Sequence, residues 1–78
     1  MDNTAVLLRQ FIKEKRSKAR LTQAALAAKA GVGLRFIREM EQGKPTLRMD
    51  KVNQVLRLFG HELSPVSFNR QKYIDAAS

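Results

Sequence analysis

The chain has no cysteine among its 78 residues and few acidic residues. Without cysteine it forms neither a disulfide nor a thiolate metal site, so a chain this short is expected to gain stability from a partner, most simply as a homodimer. Its apolar runs, such as residues 24–28, are far shorter than the roughly 20 residues of a membrane-spanning helix. The first residues, Met1-Asp2-Asn3, do not form a signal peptide pattern. We therefore expect one small cytoplasmic domain that does not associate with a membrane.

Basic residues are in large excess. The sequence has 15 Lys and Arg against 7 Asp and Glu, for a net charge of +8, and the whole excess lies in residues 1–60. A basic domain followed by a neutral tail favours a polyanionic partner, above all nucleic acid. An anionic membrane surface is a weaker alternative, because no predicted helix combines a bulky apolar face with a uniformly cationic one. A basic surface without a polyanionic partner is the remaining interpretation.

Apolar residues spaced three and four apart predict a helical domain. The four predicted helices cover residues 5–18, 22–30, 34–42 and 48–59. The side chains that repeat at this spacing, and so form the predicted core, are Leu8, Phe11, Ile12, Leu26, Ala30, Ile37, Met40, Met49, Val52, Val55, Leu56 and Phe59. Thr4 and Thr22 are candidate N-caps, and Gly31, Gly43 and Gly60 stand where helices end. Only three residues separate the second and third helices, so these two should cross steeply.

After Gly60 the apolar period changes to two. Residues 62–68 alternate polar with apolar, apart from Pro65, which is typical of a short edge strand. A single strand is not stable, and the chain has no second one, so we expect it to pair with the same strand of a second copy. The residues predicted to form this dimer contact are Glu62, Leu63, Val66 and Phe68. Residues 69–78 are predicted to be a flexible tail, in which Tyr73 and Ile74 are a candidate docking pair.

Residues 21–44 resemble the helix-turn-helix of the Xre and phage-repressor family. The matching features are Thr22-Gln23 at the start, Leu26-Ala27 in the first helix, Gly31-Val32 at the turn and the pattern Ile37-x-x-x-Glu41-x-Gly43 at the end. The resemblance covers about residues 8–60. It implies an all-α fold of about four helices, with a DNA-binding domain at residues 1–60, a dimerisation strand at residues 61–68 and a tail at residues 69–78.

In that family the second helix of the motif lies in the major groove of DNA and presents its N-terminal side chains to base edges. The resemblance implies that the base-reading residues here are Leu34, Arg35, Arg38 and Glu39. Arg35 and Arg38 share one helix face, and an arginine fork matches the O6 and N7 acceptors of guanine. The alternative is that both arginines contact only phosphates. Leu34 is either a contact to a thymine methyl group or an incidentally exposed side chain.

Other positions are expected at the sugar-phosphate backbone of the DNA. These are Lys18, Arg20, Gln23, Gly33, Lys44 and Thr46. Gln23 resembles the family glutamine that contacts a phosphate and steadies the base-reading residues, at a helix N-terminus that suits an anion. Gly33 departs from the family, which usually has a polar residue there, so one base contact is lost at that end.

Arg16 and Glu41 resemble a structural ion pair of the family that joins the first helix to the end of the third. His61 has no second histidine or cysteine near it in sequence, so a metal site is not expected. The serines share a single histidine and the glycines form no phosphate-binding loop, so we expect neither catalysis nor a cofactor.

Residues 41–63 look like the HipB-type branch of the family, the DNA-binding antitoxins encoded beside HipA-like kinase toxins. This resemblance implies a homodimeric autorepressor that binds an inverted-repeat operator in double-stranded DNA, assisted by the kinase, in the cytoplasm and on the nucleoid when bound. Two alternatives stay open. One is a stand-alone phage-type regulator, and the other is an antitoxin that acts mainly by holding its toxin.

Overall fold

Four helices follow one another along the part of the chain that the structure describes. This structure is a computed structural model, which describes the backbone of residues 4–67 and the side chains of residues 7–67. The helices are α1 (Thr4–Lys18), α2 (Gln23–Ala30), α3 (Leu34–Glu41) and α4 (Met49–Leu58). The four predicted helices are thus confirmed, with every end within one residue of the predicted position. None of the described helices has the length and apolar character needed to cross a bilayer.

Local capping interactions explain why the helix ends could be predicted so accurately from the sequence. The side chain of Thr22 caps α2 by accepting a hydrogen bond from the amide of Ala25. Each helix then ends in a Schellman motif, in which an amide beyond the helix donates to a carbonyl five residues earlier. These bonds run from Leu21 to Arg16, Val32 to Ala27, Lys44 to Glu39 and His61 to Leu56, at 3.0 to 3.1 Å. The motif needs one residue with a left-handed backbone, and glycine supplies it at positions 31, 43 and 60.

At the end of α1 this left-handed residue is Arg20, with a φ of 56°. A residue with a Cβ atom is strained there by roughly 1–2 kcal/mol. We therefore expect Arg20→Gly to raise the free energy of unfolding by about 1 kcal/mol, measured by urea denaturation. Ala19→Gly is the matched control, because Ala19 does not have a positive φ and glycine there only adds freedom to the unfolded chain. A loss of stability in Arg20→Gly would contradict the strain.

The core lies where α1 packs on α3 and where α2 packs on α3 and α4. Its fully buried side chains are Ile12, Leu26, Ile37, Met40 and Val55. All of these are among the residues that the spacing predicts. Ala27, Val52 and Leu56 complete the core with at most 5% exposure. The helical repeat thus reports directly on burial in this small domain.

One core prediction is wrong, and four others are met only in part. Met49 was expected inside but is 72% exposed, because it is the first residue of α4 and helical side chains lean toward the N-terminus, which places it beyond the packed turns. Ala27 takes the buried place beside Leu26. Four predicted core residues pack against the core but are only half-buried, namely Leu8, Phe11, Ala30 and Phe59.

Residues 61–67 form neither helix nor strand. They are nevertheless held to the domain, because the amide of Leu63 donates to the Oδ1 atom of Asn53 at 2.7 Å and the Leu63 side chain packs against the core. A strand is defined by hydrogen bonds to a neighbouring strand, and none of residues 4–67 forms a strand that could pair with this segment. Phe68 and the tail at residues 69–78 lie outside the described residues.

Candidate nucleic-acid interface

The turn between α2 and α3 is braced from α4. The side-chain amide of Gln54 donates to the carbonyls of Ala30 and Gly31 at 3.3 and 3.4 Å. A Cβ atom on Gly31 would lie 3.5 Å from that same nitrogen, which is an ordinary contact distance. Glycine is therefore required by the backbone φ of +74° at this position and not by crowding. Val32 packs partly against the core. The turn therefore holds α3 at a fixed angle to α2.

One face of α3 is buried and the other is exposed and charged. Ile37 and Met40 are at most 1% exposed. Arg35 and Arg38, three residues apart, are exposed on the outer face, and the Arg35 side chain is 91% exposed. The outer face is therefore cationic and open to a large ligand.

The cap residue Gly33 and the first helical residue Leu34, at the start of α3, differ in what they expose to a ligand. Leu34, expected at base edges, is half-buried and packs against the core, so part of its surface is not available to DNA. Gly33 caps α3 in an extended conformation and offers no side-chain hydrogen bond. A Cβ atom there would meet nothing within 4 Å, so neither strain nor crowding in the free chain requires glycine at this position.

Glu39 is at the centre of a small charged cluster on this face. Its Oε1 atom accepts from the Nε of Arg35 at 3.1 Å, and its Oε2 atom accepts from the Nζ of Lys44 at 3.0 Å. The hydrogen bond from Lys44 is the main reason that the pKa of Glu39 is lowered. The structure thus brings together three of the residues that the sequence assigns to DNA contacts, and it makes Glu39 a partner of the other two.

The remaining residues expected at the DNA backbone differ in their exposure and in their partners. Thr46 and Arg20 are exposed. Lys18 is also exposed, and its Nζ atom lies 4.0 Å from the carboxylate of Glu14 on the preceding turn of α1. Gln23 is different, because its side-chain amide donates to the Oε1 atom of Glu41 at 3.2 Å. Its amide nitrogen therefore already has a partner within the chain.

Arg16 and Glu41 form a bidentate ion pair between α1 and the end of α3. The Nε of Arg16 lies 2.7 Å from one carboxylate oxygen and Nη2 lies 2.9 Å from the other. The third nitrogen, Nη1, donates to the carbonyl of Leu21 at 3.0 Å. Glu41 is 3% exposed and the Arg16 side chain is 24% exposed. One guanidinium thus joins α1, the connection to α2 and α3.

The pKa values of this pair follow from those contacts. The hydrogen bond to Glu41 raises the pKa of Arg16. Burial alone would raise the pKa of Glu41, but hydrogen bonds from Arg16 and Gln23 and the nearby positive charges together lower it. Glu41 is therefore an ionised carboxylate that is almost fully enclosed.

Besides the bonds to Glu39 and the bonds from Gln54, two further contacts were not predicted from the sequence. The first is the bond from Gln23 to Glu41, because the motif explains Gln23 as a phosphate contact. The second is the exposed ion pair of Arg48 with Asp50, at 2.7 Å, at the start of α4. A basic residue two positions before an acidic one is common on surfaces, so nothing in the sequence indicated that pair.

A second surface lies away from α3, between α1 and the segment after α4. It is a largely apolar groove of about 510 Å³, and its lining includes Leu7, Phe11, His61 and Val66. Leu7 is 63% exposed and Val66 is 83% exposed. His61 stacks edge-on against Phe11 with ring centres 4.7 Å apart, and its Nδ1 atom lies 2.8 Å from the carbonyl of Phe59. These two contacts give His61 a packing role.

Comparison with known proteins gives a consistent result. Residues 7–65 match the model of a family described as a helix-turn-helix domain. The chain is also similar to an uncharacterised HTH-type transcriptional regulator, y4mF, from Sinorhizobium fredii, with 53% identity over 45 residues. That match covers 58% of this chain and 59% of the length of the relative. No solved structure is significantly similar to the chain.

Proposed function

The chain belongs to the helix-turn-helix domain family, and from this premise we propose that it regulates transcription by binding a specific DNA sequence with α3. The similar protein from Sinorhizobium fredii is named a transcriptional regulator, which supports the proposal. The proposed function is binding, without a catalytic step or a cofactor. It places the protein in the cytoplasm, on the nucleoid when bound.

One observation carries this proposal, namely the cationic outer face of α3. Arg35 and Arg38 are exposed on the second helix of the motif, while Ile37 and Met40 anchor its other face in the core. A buried inner face fixes the helix, so the exposed arginines occupy defined positions on a rigid element. Guanidinium groups three residues apart suit base edges in the major groove of DNA.

The finer proposal is that the protein is an autorepressor of the antitoxin type, which binds an inverted repeat upstream of its own gene. The resemblance of residues 41–63 to the HipB-type branch supports this. The implied partner is a HipA-like kinase toxin encoded beside the protein. A kinase-like reading frame adjacent on the chromosome would support the antitoxin role, and its absence would favour a stand-alone phage-type regulator.

A second candidate function is that the protein acts mainly by holding a toxin. The apolar groove beside α1 favours a protein partner of some kind, because exposed Leu7 and Val66 lie on it. The charge on α3 has no evident use in that role. Binding of a toxin by a natural chain that enriches no DNA sequence would identify this second function.

We propose that the groove is covered by a second copy of this chain. Val66 lies at the groove, and the alternating apolar pattern continues past the described residues to Phe68. Glu62 and Leu63 belong to the same segment, which has no neighbouring strand among the described residues. A twofold partner would supply that neighbour, and it would cover Leu7 and Phe11 at the same time.

The dimer is tested with Val66→Lys. A lysine in the apolar groove leaves its charge facing the partner, so we expect a dimer at tens of micromolar for the natural chain and a monomer for the variant, measured by sedimentation velocity. Ser64→Lys is the matched control, because Ser64 is exposed and does not line the groove. A monomeric natural chain at this concentration would refute the dimer.

The DNA-binding function is tested with the natural chain. Duplexes are enriched from a random library by binding to the protein, and the enriched sequence and a scrambled version are then titrated at two salt concentrations. We expect the enriched duplex to bind at least 10³ times more tightly, as is typical of specific regulators, with an affinity that falls steeply as salt rises. Absence of any enriched sequence would exclude a sequence-specific regulator.

A further inference from the structure

We propose that Glu39 is a positioning residue for DNA recognition, and that its single carboxylate holds Arg35 ready for a base and Lys44 ready for a phosphate. This inference rests on the proposed function and deepens it. The sequence assigns Glu39 to direct base reading. The geometry points instead to a role exerted through its two cationic neighbours.

The bond to Arg35 determines how that arginine meets DNA. Glu39 lies four residues after Arg35 on the same helix face, and it accepts from Nε, the inner nitrogen of the guanidinium, at 3.1 Å. Both terminal Nη groups stay available, and this is a pair of donors that fits the O6 and N7 atoms of guanine. The Arg35 side chain is 91% exposed. Without the carboxylate it would sample many rotamers.

The bonds to Lys44 fix a second contact just past the end of α3. The amide of Lys44 donates to the carbonyl of Glu39 at 3.1 Å, and its ammonium group donates to the carboxylate at 3.0 Å. Both the backbone and the side chain of Lys44 are therefore tied to one residue. An ammonium group has three donors, so two of them stay available for a phosphate oxygen.

The carboxylate itself is well suited to this role. Glu39 is only 24% exposed, less than either of its partners. Its two oxygens each hold one cation, so the negative charge is compensated within the protein. A carboxylate in this position also repels DNA phosphates, so it weakens binding to any sequence, whereas the arrangement of Arg35 favours only sequences with the base that Arg35 reads.

This role predicts that Glu39→Gln has opposite effects on the affinity for a scrambled duplex and on the affinity for the enriched duplex. The neutral amide keeps the size of the side chain but loses the charge that orients both cations. Binding to a scrambled duplex should become about two- to fivefold tighter, because one phosphate-repelling charge is gone. Binding to the enriched duplex should weaken by about three- to tenfold, because the base-reading Arg35 is no longer ordered before binding. The ratio of the two affinities therefore falls.

The matched control is Glu14→Gln. It also removes one acidic partner from a lysine, since Glu14 lies 4.0 Å from Lys18, but on α1 and not on α3. For Glu14→Gln the ratio of the affinities for enriched and scrambled duplexes should stay within about twofold of the ratio for the natural chain, because only non-specific attraction changes. Thermal melts of both variants show whether the fold is intact.

A double-variant cycle separates positioning from the other roles. When Arg35 is already alanine, Glu39→Gln should no longer lower the ratio at the base pair that Arg35 reads. If Glu39→Gln tightens both duplexes equally, the carboxylate only repels phosphates and the inference is wrong. The inference is also wrong if the variant changes the preference at a base pair that Arg35→Ala leaves untouched, since Glu39 would then read that base itself.

The failures of the two proposals are distinguishable. A natural chain that enriches no sequence refutes the regulator proposal together with this inference. A natural chain that enriches a sequence, alongside a Glu39→Gln variant with an unchanged ratio, refutes this inference alone.

Discussion

Replacing Arg16 with methionine is expected to lower the free energy of unfolding by about 3 to 5 kcal/mol at neutral pH, the largest effect expected of any substitution proposed here. The variant leaves the Glu41 carboxylate, which is 3% exposed, without its counter-charge. It also removes the donor to the carbonyl of Leu21. Gln23 would be the remaining side chain that donates to the carboxylate. Urea denaturation followed by circular dichroism measures the loss.

The loss should depend on pH in a definite direction. In the natural chain the folded pKa of Glu41 is lowered, so its stabilising effect is complete above the unfolded pKa and is lost as pH falls through the folded value. In Arg16→Met the hydrogen bonds and charge of Arg16 no longer outweigh the effect of burying Glu41. The pKa of Glu41 in the folded variant should therefore lie above the unfolded value of about 4.3. The variant should therefore lose less stability than the natural chain between pH 7 and pH 4.

Lys18→Met is the control for the Arg16 variant. It removes a positive charge from the last turn of the same helix, but its partner Glu14 is well exposed and 4.0 Å away, so its effect should stay below about 1 kcal/mol. An Arg16→Met variant that is as stable as this control would show that Glu41 tolerates burial without its partner.

Arg38→Ala is expected to weaken binding to the enriched duplex by about 1 to 3 kcal/mol and to relax the preference at particular base pairs. Arg38 is exposed on the outer face of α3 and has no ion-pair partner among residues 7–67. Arg35→Ala should behave in the same way at a different base pair. Arg57→Ala, on α4 and outside the motif, is the control and should leave the preference unchanged.

Lys44→Ala should give a different signature. It should weaken binding to all sequences alike and reduce the dependence of affinity on salt by about one charge. The same titrations at two salt concentrations distinguish the two kinds of contact. If both arginine variants keep the full ratio between enriched and scrambled duplexes, then the arginines contact only phosphates.

The sequence predicted the helices well for a local reason. The helix ends depend on single residues, such as the N-cap Thr22 and the left-handed Gly31, and such residues act on their own immediate neighbours. Burial of Ile37 and Met40 followed from the helical repeat for the same reason. The prediction for Met49 was wrong because burial at a helix end depends on where the neighbouring helices stop. The spacing of apolar residues within one helix does not encode this.

The candidate site was less predictable, because its contacts are side-chain choices among several partners. The resemblance to the Xre family implied that Arg16 and Glu41 lie together. It did not indicate that Gln23 also donates to Glu41, because a glutamine is equally able to bind a phosphate. Glu39 was assigned to bases from its place on the helix face, whereas its engagement by Arg35 and Lys44 is visible only in three dimensions.

The shared form of the helix ends also bears on how fast the chain folds. Each Schellman motif closes over six consecutive residues, so every helix stops by itself without help from distant segments. The described helices pack mainly on helices one or two positions away along the chain, as α1 does on α3 and α2 on α3 and α4, which keeps the contact order low. Domains of this kind fold within microseconds to milliseconds. A newly made chain would therefore be folded almost as soon as it leaves the ribosome.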